Sequence, residues 1–264
     1  MAKICVEDAA FAYAEGQYIW QNVNMNVEDG DCYCILGANG CGKTTLFSCL
    51  NGENCLKSGR ITVNDKNIRE YSVTELAQTM GVVFQDHTAP FPYSALEVVR
   101  MGRAPYIGVF QTPDKKDTEM ALAVMEELEI AHLADKKYTQ ISGGERQLVL
   151  IARTLCQKPQ MILFDEPTSH LDFKNQAMVM RTIKRLSERG MTMVMTSHFP
   201  NHVWQVGTKV ALMGNGGIIA QGPVEQVMTE ENLEATYGVK VNIIRSVVNG
   251  RESVFCEADT GLMP

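Results

Sequence analysis

The stretch CILGANGCGKTTLFSCL constrains the fold more than any other part of this 264-residue chain. An apolar strand pattern runs into a glycine-punctuated loop and then directly into a helical pattern, with the spacing Gly37-x-x-x-x-Gly42-Lys43-Thr44. Each residue type meets a need of phosphate binding. Glycines let the backbone wrap closely enough for successive amides to point inward, the lysine offers charge to terminal phosphates, and the threonine hydroxyl is a ligand for Mg²⁺. A helix is expected from about Gly42 to Asn51, ended by Gly52, and its N-terminus adds positive potential. The plain alternative is a glycine-rich turn beside a surface lysine. A strand before the loop and a helix after it weigh against that alternative, so the chain carries a nucleotide site.

Composition narrows the setting. At 45% apolar residues the chain has ample material for a core, and its net charge of −7 argues against general affinity for nucleic acid or anionic lipid. MAKICVEDAAF reaches Glu7 and Asp8 early and lacks the apolar core and small-residue cleavage site of a signal peptide. No uncharged apolar run approaches the ~18 residues that cross a bilayer, so a membrane role is expected to come through a partner. The eight cysteines include no C-x-x-C pair, and several sit in apolar runs. They are expected to be reduced structural thiols in a cytosolic protein.

Residues 3–36 alternate like strands, and GRITVNDKNI reads as a hairpin turning at Asn64–Asp65. GVVFQ (81–85), MILFD (161–165) and MTMVMTSH (191–198) are apolar runs of the kind buried in a parallel sheet. KVALMGNGGIIAQG (209–222) reads as a second hairpin. Between Gln85 and Pro159 the period turns helical, with Met120, Ala121, Val124, Met125 and Leu128 on one face. Strands on both sides of a helical block predict an α/β core with a helical lobe inserted in its middle.

MILFDEPTSHLD places Asp165 and Glu166 at the C-terminal end of an apolar strand, where carboxylates lie beside the phosphate loop in such folds. Asp165 then suits Mg²⁺ held through water, and Glu166 suits a general base on the attacking water. The bland reading has the pair capping the turn at Pro167–Ser169. His198 and Gln85 each close an apolar strand. Either is structural, or His198 touches the γ-phosphate and Gln85 reaches Mg²⁺ or the attacking water.

In ISGGERQLVLIARTLCQKP, Ser142 is a good N-cap, and Leu148, Ile151, Ala152 and Leu155 form an apolar stripe behind it. Gly143 and Gly144 leave first-turn amides open to an anion. The chain thus has two helix N-termini suited to phosphate, and one γ-phosphate uses both most simply if the second comes from another protomer. A plain capped helix remains the alternative.

The motifs GANGCGKTT, ISGGERQ, ILFDE, SHLD and His198, in that order, resemble the Walker A, signature, Walker B, D-loop and switch histidine of the ATPase subunits of ABC transporters. The resemblance spans about residues 3–240. It implies an α/β P-loop NTPase, an ABC ATPase core with an N-terminal antiparallel β-subdomain and an inserted α-helical subdomain. The core and β-subdomain would take residues 1–85 and 159–240, the helical signature subdomain 86–158, and a tail 241–264. It implies ATP and Mg²⁺ as cofactors, with nucleotide contacts from Tyr13 (stacking on adenine), Gly37, Asn39, Gly40, Cys41, Gly42, Lys43, Thr44 and Thr45. Ser142, Gly143 and Gly144 would contact ATP held by the opposite protomer. Thr44, Gln85 and Asp165 would serve the metal, and Glu166, His198, Gln85 and Lys43 the chemistry. Asp172 would belong to the D-loop at the interface of a head-to-tail homodimer. The partners implied are integral membrane permease subunits and, indirectly, an extracytoplasmic substrate-binding protein, with no nucleic acid; the place is the cytoplasmic face of the cell membrane. Ile141 for leucine, Glu145 for glutamine and Cys41 for the commoner serine depart from the family pattern.

VVRMGRAPYIG and DEPTSHLDFKNQ closely resemble ATPases serving importers of ferric siderophores, haem and vitamin B12. A soluble ATPase of iron–sulfur assembly, or an importer subunit for another cargo, is the rival reading. The segment FPYSALEVVRMGRAPYIGVF (91–110) is aromatic-rich for an acidic protein. Leu96, Val98, Val99 and Met101 are expected in the lobe core. Phe91, Tyr93 and Tyr106 are expected to line a groove for a permease helix within residues 86–110, with Arg100 and Arg103 at its rim.

Overall fold

The computed structural model describes residues 3–84, 92–108, 111–214, 216–248, 250–259 and 261. The backbone divides into two compact units, Met1–Ile68 with Thr192–Pro264, and Arg69–Met191.

In the first unit β1 (Ile4–Ala14) pairs antiparallel with β2 (Gln17–Val27) and with β4 (Ser58–Val63), which turns into the short β5 (Lys66–Asn67). The resulting order is β2-β1-β4-β5, the antiparallel sheet expected near the N-terminus. Asn64 and Asp65 take φ of 50° and 62°, the left-handed pair that a two-residue hairpin turn needs and that short polar side chains tolerate. A second set of strands runs in the order β10-β9-β3-β8. Here β3 (Cys32–Gly37) lies parallel to both β8 (Thr192–Ser197) and β9 (Lys209–Gly214). The expected hairpin joins β9 to β10 (Gly217–Pro223). Every residue of β3 and of β8 is buried, which is why both read as unbroken apolar runs. Around these strands lie α1 (Lys43–Leu50), α7 (Pro200–Val206), α8 (Val224–Val227) and α9 (Glu230–Tyr237). The chain then forms a separate antiparallel hairpin, β11 (Val241–Val248) and β12 (Arg251–Ala258), in the segment expected only as a tail.

In the second unit β6 (Met80–Val83) and β7 (Met161–Phe164) are parallel neighbours. Its helices are α2 (Val73–Thr79), α3 (Ala95–Arg100), α4 (Lys115–Glu127), α5 (Gly143–Cys156) and α6 (Phe173–Glu188). Capping boxes open α2, α3, α4 and α5, so a side-chain oxygen and an acidic residue three positions on satisfy first-turn amides and fix where each helix begins. The predicted α4 face buries Ala121, Met125 and Leu128 fully and Met120 and Val124 in part. Leu148 to Ala152 of α5 are all buried, more than the predicted stripe, because neighbours pack on several sides of that helix.

A candidate nucleotide site

The loop after β3 is built as its sequence predicts. Its glycines answer two separate demands. Gly40 and Gly42 take φ of 82° and 100°, a region that favours glycine, and at Gly40 an added Cβ would meet open space. At Gly42 an added Cβ would lie 2.8 Å from Ile19 Cγ2 and 2.9 Å from Trp20 Cδ1. At Gly37 it would lie 2.6 Å from the Met213 carbonyl. The loop is thus pressed against its own strand bundle on one side and open on the other.

Helix α1 starts at Lys43 with Gly42 as N-cap, no side-chain cap and no acidic residue in its first turn. Gly42 has no side chain to accept from the first-turn amides, which suits an anion site. Lys43 is only 5% exposed, and its ammonium donates to the carbonyls of Gly37 (2.9 Å) and Ala38 (3.1 Å). Those two bonds compensate a buried charge and hold it inside the curve of the loop. Asn39, Gly40 and Thr44 are exposed, whereas Cys41 and Thr45 are buried. The residues present fit a nucleotide phosphate.

Tyr13 stands at the start of α1. Its ring is exposed and edge-on to Phe11 at 4.9 Å, and its hydroxyl lies 3.4 Å from Thr45 Oγ1. An exposed aromatic face held beside the phosphate loop suits a purine. His198 reaches the same region by topology. Leu36 pairs with Ser197 in the parallel β3–β8 register, so the phosphate loop and His198 leave adjacent strands at the same edge. The His198 ring packs 3.9 Å from that of Phe199, and its carbonyl accepts a hydrogen bond from the Tyr237 hydroxyl at 3.1 Å. Sequence reasoning missed Tyr237, which lies 39 residues on and carries no motif.

In the second unit Asp165 follows β7, is 6% exposed, and donates its amide to the Val83 carbonyl at 2.9 Å. The paired ends of β6 and β7 therefore deliver Phe84 and the Asp165–Glu166 pair to one edge. Gln85 and Phe91 lie outside the described residues. Glu166 has φ of 41°, uncommon for a residue with a Cβ, and its Oε2 accepts from Ser169 Oγ at 2.8 Å. That contact ties Glu166 to the turn at Pro167–Ser169 and orients its carboxylate. Asp172 caps α6 by accepting from the Asn175 amide at 2.8 Å.

Ser142 caps α5 as expected, but the cap is reciprocal. The Glu145 amide donates to Ser142 Oγ, and the Ser142 amide donates to the Glu145 carboxylate at 2.8 Å. Those bonds hold the Glu145 carboxyl below the usual range and place a negative charge in the first turn. Gly144 is dictated by its neighbour, because an added Cβ would collide with the Asn175 side chain. The signature turn and the start of α6 are thus packed together.

Two expectations for residues 91–110 fail. Met101 is 42% exposed and not core, although Val98 and Val99 are buried as expected. Arg103 is not a rim residue. It pairs with Asp117 at 3.0 Å, donates to the Cys156 carbonyl at 3.1 Å and stacks over the Tyr106 ring at 4.1 Å. It serves the C-terminal end of α5, where last-turn carbonyls need donors. Tyr106 donates its hydroxyl to the Gln157 carbonyl, and Tyr93 and Tyr106 are both exposed.

Among the described residues no group of three or more His, Cys, Asp or Glu side chains is arranged to hold a metal. Mg²⁺ keeps several waters and takes one or two protein oxygens plus substrate phosphates, so a nucleotide-linked site needs no such cluster. No helix of the described residues is long and apolar enough to cross a membrane.

Residues 20–169 match the model of the ABC transporter family. The molybdate import ATP-binding protein MolC of Haemophilus influenzae is 36% identical over 89% of this chain and 87% of its own. The hemin import ATP-binding protein HmuV of Rhodococcus jostii is 33% identical over 92% of this chain and 83% of its own. Among solved structures, an inward-facing ABC transporter assigned to the metal-chelate type superposes with a TM-score of 0.87 at 32% identity, covering 98% of both chains. This chain belongs to the ABC transporter family, as one of its ATP-binding subunits. Its fold is the ABC ATPase P-loop fold with an antiparallel β-subdomain, and its activity is that of an ATPase.

Proposed function

We propose that the chain is the ATP-hydrolysing subunit of an importer of metal chelates, acting as a head-to-tail homodimer on the cytoplasmic side of permease subunits. The observation that carries the reading is Lys43, buried inside a loop whose amides and ammonium suit terminal phosphates, in a chain that also holds the signature turn at Ser142–Gly144. Tyr13 stacks on adenine, and the loop from Gly37 to Thr45 wraps the phosphates. Thr44, Gln85 and Asp165 are the residues that would serve Mg²⁺, as the family resemblance implies. When bound, that ion supplies charge neutralisation at the phosphates. Glu166 takes a proton from the attacking water, and His198 contacts the γ-phosphate. Ser142, Gly143 and Gly144 of one protomer face the ATP of the other. Hydrolysis and product release then open the dimer and drive the permease, with the stretch around residues 86–110 as the part that meets it.

The cargo proposed is a ferric siderophore, haem or cobalamin, delivered by an extracytoplasmic binding protein. The MGRAP and HLDFKNQ phrases and the similarity to HmuV support it. The similarity to MolC favours a second reading, in which the cargo is an oxyanion. Capture of the intact membrane complex, with mass spectrometry of its partners, tests the importer assignment. Uptake by the reconstituted complex then separates the cargoes: hemin, ferric siderophore or cobalamin is expected, and uptake of molybdate alone would overturn the chelate reading.

A further inference from the structure

The segment after residue 197 is gripped from two sides by the C-terminal part of the chain. On one side the Tyr237 hydroxyl, at the end of α9, donates to the His198 carbonyl at 3.1 Å. On the other, Asn201 in the first turn of α7 makes a two-way bridge to the β12 backbone, accepting from the Cys256 amide at 2.7 Å and donating to its carbonyl at 3.4 Å. The Trp204 indole donates to Cys256 Sγ at 3.3 Å. The loop is also tied to itself, since Ser197 Oγ accepts from the Phe199 amide at 3.0 Å and lies 3.4 Å from His202 Nδ1. Burial raises the Tyr237 phenol well above its usual range, and Cys41 of the phosphate loop and Cys256 of the hairpin push it the same way. The phenol therefore stays a neutral donor to the histidine backbone. Gly238, with φ of 69°, ends α9 directly after Tyr237 and turns the chain toward β11.

We propose that Tyr237 is a positioning residue for the reaction, fixing the backbone of His198 so that its side chain is presented to the terminal phosphate. The proposal rests on the γ-phosphate role of His198 and deepens it. It also gives the segment from α9 through β12 a purpose beyond covering apolar surface. Removing only the hydroxyl leaves the ring in place, so Tyr237→Phe isolates the bond from the packing. A net hydrogen bond of this kind corresponds to roughly a 3- to 10-fold change in rate.

The experiment is a double-mutant cycle on the full chain, measuring ATP turnover and thermal stability for Tyr237→Phe, His198→Ala and the pair, with labelled-phosphate release to follow the slow variants. Tyr237→Phe is expected to lower kcat roughly 3- to 10-fold with KM for ATP unchanged, and to cost nothing further in the His198→Ala background. Wild-type kcat for Tyr237→Phe would overturn the proposal, as would an equal loss in both backgrounds. Wild-type turnover by His198→Ala would overturn the histidine role on which it rests, a failure distinct from the other two.

Discussion

At the scale of single residues the site is decided by charges placed where helices begin and by groups buried without charge. Glu145 is the clearest case. It completes the cap of the signature helix and puts a carboxylate where the phosphate of a facing ATP is proposed to lie. Glu145→Gln keeps a capping oxygen and removes the charge, so ATP-driven dimerisation is expected to tighten about 2- to 5-fold, the scale of one charge at a helix N-terminus. Dimer dissociation constants from sedimentation check this, and weaker association would contradict it. His202 is a buried neutral imidazole whose pKa is pushed down to about 4, first by burial and then by neighbouring His198. The unfolded chain takes up that proton near pH 6.5, so the contribution to stability is whole above about 6.5 and is lost as pH falls toward 4. The loss is on the order of 3 kcal/mol. Denaturant unfolding at pH 7 and 4.5 should show a smaller drop in His202→Gln than in the parent chain. Lys43, Gly37, Gly42 and Asp165 were legible in the sequence because phosphate chemistry fixes residue type at a fixed spacing. Tyr237 was not, since its contact with His198 exists only after α9 has packed.

At the scale of elements, the turn spanning Met101–Tyr106 gains a meaning that composition did not suggest. Its glycine and arginine finish helix α5. Gly102 lies so close to the Arg153 carbonyl that an added Cβ would collide with it, and Arg103 donates to the Cys156 carbonyl. Gln157 continues the clamp by donating to the carbonyls of Ala77 and Met80, at the junction of α2 and β6. A backbone carbonyl in a helix has little room to retreat, so Gly102→Ala is expected to cost about 3 kcal/mol. That lowers the thermal midpoint by roughly 5–6 °C for a chain of this size, and an unchanged midpoint would contradict the clamp. The aromatic character of 91–110 was visible in the sequence, but the direction of each side chain was not. Arginine in an amphipathic segment suits a rim or an internal carbonyl equally, and only packing against α5 and Asp117 decides between them. Strand elements were easier to read, because continuous apolar runs such as CYCILG and MILF admit few other places than a buried parallel sheet.

At the scale of the whole molecule, the chain carries a phosphate loop with an uncapped helix start in one unit and a capped signature helix in the other, the two parts from which the proposed dimer would build each nucleotide site. The sequence carried that logic in its motif order, and family membership supports it. What it could not carry is how firmly each half is fixed by residues without motifs, such as Tyr237, Asn201 and Arg103. Ser142→Arg is expected to spare ATP binding by the single chain and to stop hydrolysis by blocking closure of the pair. The most direct test of the account uses Glu166→Gln, which removes the proposed base and leaves the phosphate loop intact. Sedimentation of that variant with and without MgATP should give an ATP-dependent dimer that hydrolyses very slowly, and adding Ser142→Arg should return it to monomer with ATP still bound. A Glu166→Gln chain that binds ATP yet stays monomeric, or turns it over at the normal rate, would contradict the account.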